Sequence, residues 1–181
     1  VSSQGVHSAD PMQEILDWAG NRCALVILDN VEDCTEVAQI AAELLESSAF
    51  LTLVFTAYNR LDLIGERVYA LKGLSTNGGS TSEAVALFLS HLQSESHPES
   101  AASEFLDNVV GICSIVEGLP LAIDLAAGQV KRLSSSELLA ELTANMDILR
   151  SQAVNLPERH RSITASFDNC WNHLTPRQRK M

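Results

Sequence analysis

Two five-residue apolar runs, Ala24–Leu28 and Leu51–Phe55, separated by a stretch of helical periodicity, constrain this chain more than any other feature. Each run is too short for a helix and is bounded by polar residues, which predicts a strand buried on both faces. Between them, residues 36–46 place Val37, Ile40, Ala41, Leu44 and Leu45 at the three-and-four spacing of a helix packed on a sheet. The order strand, helix, strand points to a parallel sheet with a right-handed crossover. A shorter third strand is expected at residues 67–71. Ahead of the first strand, residues 11–19 form a helix with Ile15, Leu16 and Trp18 on one face, Asp10 as its cap and Pro11 at its first position.

The pattern changes after residues 73–80, a stretch of Gly, Ser, Thr and Asn that reads as a linker. Every later segment is helical. Thr81 and Ser82 cap a helix running through Leu92, and residues 94–100 form a polar loop. Residues 101–117 put Phe105, Val109, Ile112, Cys113 and Val116 on one stripe, and Gly118 ends that helix. Pro120 opens the next, Ser134, Ser135 and Ser136 precede another at 138–146, and residues 157–173 form the last complete one. Thr175 and Pro176 begin a further helix that the sequence leaves barely started, so the last fold unit is expected to be truncated. No internal repeat is visible.

With 181 residues and a formal net charge of -11, the chain argues against a broad duplex-binding face, because phosphate contacts require clustered Lys and Arg. Basic residues gather only late, at Arg159, Arg161, Arg177, Arg179 and Lys180. The four cysteines, at 23, 34, 113 and 170, lack metal-ligand spacing and fit a reducing, cytoplasmic setting. The start of the sequence carries no basic and apolar leader, and the most apolar stretch, residues 37–58, is interrupted by acids and serines. A soluble protein without membrane contact is expected. Neither G-x-S-x-G nor H-E-x-x-H occurs, and the five histidines fall in polar or helical surroundings.

Asp29 closes the first apolar run, where a carboxylate at the carboxyl edge of a parallel sheet can face Mg²⁺. A strand-end aspartate capping the following turn has the same appearance. Three further blocks add context: Phe55-Thr56-Ala57-Tyr58-Asn59-Arg60, Glu117-Gly118-Leu119-Pro120-Leu121-Ala122-Ile123, and Leu156-Pro157-Glu158-Arg159-His160-Arg161-Ser162. In this order they resemble the NB-ARC module of STAND-type signalling NTPases, relatives of the AAA+ ATPases, from about Ile15 onward.

That resemblance implies α/β followed by all-α: an incomplete parallel sheet of the P-loop NTPase type with about three strands, a small helical bundle, and the start of a winged-helix domain. The implied divisions are 1–74, 75–150 and 151–181. Residues 25–30 look like a Walker B strand, with Asp29 ordering the Mg²⁺ shell and Asn30 orienting a water in the catalytic pair. Thr56 lies in what looks like the sensor strand; Tyr58 stands where an arginine is usual, and Arg60, two residues on, is the substitute. Gly118, Leu119, Pro120 and Leu121 look like the GLPL motif that packs on adenine and ribose, although a plain helix-helix corner would read the same. The segment 73–80 has P-loop spacing but carries Gly79 in place of the lysine, so no working P-loop is present. The implied function is an ADP- or ATP-binding switch fragment with Mg²⁺. It would come from a slow signal-transduction ATPase, inactive as this chain alone, whose parent contacts its other domains and oligomerises on activation. Two other readings stay open: a protein-interaction module without nucleotide, favoured by Tyr58, and part of a transcriptional regulator, drawing on Arg177, Arg179 and Lys180.

Overall fold

The computed structural model describes residues 11–20, 22–93, 103–151, 157, 160–174 and 179. Among these, seven helices and a two-stranded parallel sheet form two compact units, one up to Tyr69 and the other from Ala70 onward.

In the first unit, α1 (Pro11–Ala19) leads to β1 (Ala24–Leu28), α2 (Val37–Ser47) and β2 (Leu51–Phe55). The strands pair in parallel, Ala24 against Leu51 through Leu28 against Phe55. Because side chains alternate along a strand, Ala24, Val26, Leu51 and Leu53 share one face, on which Leu16, Ala19, Ile40 and Leu44 of the two helices pack. The opposite face is bare: Leu25 and Ile27 are 60% and 61% exposed, and Val54 is exposed beside them. The expected burial on both faces therefore holds for one face only, since both covering helices of this unit pack on the same side. The third strand also differs. Residues 67–71 form neither strand nor helix, and their side chains are exposed.

The second unit is a helical cluster of α3 (Glu83–Gln93), α4 (Ser103–Ile115), α5 (Pro120–Gln129), α6 (Ser135–Ala144) and α7 (Ile163–His173). Its core joins Val85, Phe88, Val109, Ile112, Ile123, Leu138 and Leu149, all fully buried. Each such side chain contributes roughly 1.5–3 kcal/mol by leaving water. α5 buries Ala122, Ile123, Leu125, Ala126 and Ala127 around most of its circumference, as a central helix must. Gly118 ends α4 as expected, at φ 67, with its N–H donating to the Cys113 carbonyl at 3.0 Å. Pro120 opens α5, where a missing N–H costs nothing. Ser134 caps α6 in a complete capping box with Glu137.

Several boundaries in this unit differ from expectation: α6 spans Ser135–Ala144 rather than 138–146, and two others have clear causes. The stretch 73–80 is no free linker: its first residues are bonded to the helices, as described below, and Gly79–Thr81 forms a single 3-10 turn. The last helix begins at Ile163 rather than 157, because the Ser162 hydroxyl accepts from the Ala165 N–H at 2.9 Å. The backbone just before it pairs back instead, in an antiparallel bridge of Arg150 with Ser162. Neither a P-loop NTPase sheet nor a winged helix is present among the described residues. Asp10, the loop 94–100 and the step Thr175-Pro176 lie outside them. No helix among them is long and apolar enough to cross a membrane.

Candidate functional site

The expected site residues fall into three places. The first is the carboxyl end of the sheet, where the two strands stop together. Thr56 extends the ladder, its N–H donating to the Leu28 carbonyl at 3.0 Å while its own carbonyl accepts from Val31 at 3.1 Å. Its hydroxyl accepts from the Asn30 N–H at 2.8 Å and donates to the Asp29 carboxylate. Asn30 takes the left-handed conformation, φ 57 and ψ 55, which asparagine tolerates better than most residues and which turns the chain sharply into the 3-10 turn Val31–Asp33. Asp29, Asn30 and Thr56 are thus brought into one exposed clasp that ties the two strand ends. Among the described residues, no three His, Cys, Asp or Glu gather in a metal-binding cluster.

Arg60 does not join that clasp. Its guanidinium pairs with Asp62 and lies 3.9 Å from the Glu66 carboxylate. Glu66 also accepts from the Leu61 N–H at 3.0 Å. The turn carrying these groups uses Asp62 at φ 57 and Gly65 at φ 83. The sequence reading took Arg60 alone and missed both acids. A basic residue followed by acids two and six places on is the signal that could have found them.

The third place is the α4–α5 corner of the second unit, with Gly118, Leu119, Pro120 and Leu121. Leu121 packs against the helical core, whereas Leu119 and Pro120 face solvent. The corner's closest partner is Gly73-Leu74, which sequence reasoning passed over. The Leu74 N–H donates to the Gly118 carbonyl at 2.8 Å. A Cβ placed on Gly73 would overlap the Glu117 carbonyl oxygen, and one on Gly118 would overlap that of Leu74. Two glycines 45 positions apart, each beside a leucine, were the available sign.

The basic tail expected at the end is represented by Arg161 and Arg179, since Arg159, Arg177 and Lys180 lie outside the described residues. The Arg179 guanidinium donates to the Trp171 and Asn172 carbonyls at 3.1 and 2.8 Å. A cation there satisfies the orphan carbonyls at the negative end of α7.

No family model and no solved structure matches the chain. Among curated proteins, a Mycobacterium tuberculosis protein named "Putative HTH-type transcriptional regulator" is 29% identical over 163 residues, 90% of this chain and 18% of that protein. A Mycobacterium bovis protein of the same name aligns equally. An uncharacterized Mycobacterium tuberculosis protein is 29% identical over 150 residues, 82% of this chain and 37% of its own length. The chain thus spans less than a fifth of the first relatives it matches. These findings correct the sequence reading: relatives named as transcriptional regulators stand where the NB-ARC and STAND resemblance had placed signalling NTPases. The ADP or ATP switch and the slow signal-transduction ATPase rested on that resemblance and fall with it.

Proposed function

We propose that this chain is a segment of a longer transcriptional regulator, acting through protein contacts while other parts of the polypeptide read DNA. The observation that carries this reading is the likeness over 90% of the chain to proteins named as HTH-type transcriptional regulators, of which it covers 18%. Charge supports the division of labour. At a net charge of -11 the chain repels a phosphate backbone, and Arg179 is occupied at the end of α7. The exposed side chains of α7 include the stacked pair Phe167 and Trp171, and aromatic groups of this kind are enriched at protein interfaces.

The test is a chimera. Replacing the matched 163 residues of the mycobacterial regulator with this chain should preserve control of its target promoters. Deleting them should abolish that control without abolishing DNA binding. Saturable, salt-dependent duplex binding by this chain alone, measured by fluorescence anisotropy, would contradict the assignment of DNA reading to other parts.

A further inference from the structure

We propose that Gly73 and Gly118 form a backbone clamp that welds residues 73–75 onto the α4–α5 corner of their own unit, with residues 67–72 outside the clamp. The observations on the two sides of Gly73 are opposite in kind. Before it, residues 67–72 make no backbone hydrogen bond among the described residues, and Tyr69 and Leu71 are 86% and 85% exposed. After it, the next two residues are held. Leu74 donates to Gly118 and packs its side chain on the helical core. The Ser75 N–H donates to the Glu83 carboxylate at 3.2 Å, and the Ser75 carbonyl accepts from Ala84 at 3.2 Å at the start of α3.

The clamp depends on missing side chains. Each glycine faces a backbone carbonyl of the other strand of the contact, and a carbonyl cannot rotate away as the end of a flexible side chain can. Gly118 also sits at φ 67, where any other residue is strained, but Gly73 does not. Substitution at Gly73 therefore reports the contact alone. The corner continues directly into exposed Leu119 and Pro120, so any displacement of those two residues would carry Gly118 and Leu74 with it. The GLPL-like segment acquires by this route a mechanical role within its own unit.

Amide hydrogen exchange on the full chain tests the clamp. In the unmodified protein the Leu74 and Ala84 amides should be protected while residues 67–72 exchange freely. Gly73→Ala should accelerate Leu74 at least about tenfold and leave the core amides of Val109 and Ile123 unchanged. Gly65→Ala, which strains a left-handed glycine in open space, should leave Leu74 as it was. A Leu74 amide as fast as those of 67–72, or one still protected in Gly73→Ala, overturns the proposal. If Gly73→Ala accelerates Val109 and Ile123 equally, the helical unit has unfolded and cleavage of the unmodified chain decides. Chymotrypsin should then cut after Tyr69 and Leu71 and spare Leu74; comparable cutting after Leu74 refutes the clamp.

Discussion

The two units use similarly apolar sequence to opposite effect. Among the described residues, the helical unit closes a core of eighteen buried hydrophobic residues, whereas the sheet and its two helices close a cluster of three and leave Leu25, Ile27 and Val54 facing outward. The difference lies in geometry. Helices around a central helix such as α5 cover one another, but a parallel sheet has two faces and each needs its own cover. An apolar run therefore predicts a strand without predicting what lies on both of its sides.

The contrast can be broken most directly by removing one core side chain. Phe88→Ala should destabilise the helical unit by about 3–5 kcal/mol, read as a lower urea midpoint, because the packed surroundings cannot collapse into the space. A loss below about 1 kcal/mol would mean that this core is no better packed than the sheet.

The cysteines sample both units. Cys23 and Cys34 of the first are exposed, and Cys113 of the second is buried, which pushes its thiol up to about 11. Near neutral pH, iodoacetamide should modify Cys113 at least about a hundredfold more slowly than Cys23 or Cys34, followed by mass spectrometry. The linkage sign follows from the raised value. The thiol's contribution is intact below the ordinary 9.0 and fades as pH rises through about 11, since the unfolded chain ionises first.

A smaller effect is expected at the sheet end. Thr56→Val removes the hydroxyl that joins Asp29 to Asn30 and should cost about 1 kcal/mol, measured by thermal unfolding of the first unit. The smallest belongs to the bare face. Leu25→Ser should change stability by no more than about 0.5 kcal/mol, because the side chain is already in water. A loss approaching that of Phe88→Ala would show that the face is covered in solution and would erase the contrast between the units.

Much of the fold was legible residue by residue. The extent of the first helix, both strands and their parallel sense followed from local pattern, and the cap at Ser134 and the stop at Gly118 from residue type. Of the first helix's expected face, only Leu16 packs inward, while Ile15 and Trp18 are exposed. The failures have specific causes. Residues 67–71 have strand-forming side chains but no strand beside them among the described residues, and a strand exists only through its partner's hydrogen bonds. The stretch 73–80 has a linker's composition, yet its first glycine serves close approach rather than freedom. At the candidate sites, the clasp of Asp29, Asn30 and Thr56 joins residues 27 positions apart, and Arg60 found acids on its own turn.

The sequence by itself determined where backbone regularity begins and ends, because helix and strand periods, capping hydroxyls, glycine stops and proline starts act over a few neighbouring residues. Only the tertiary structure decided which apolar faces are covered, which extended segment lacks a partner, and which two glycines meet. Those outcomes depend on distant segments competing for the same surface, and no local pattern encodes the winner.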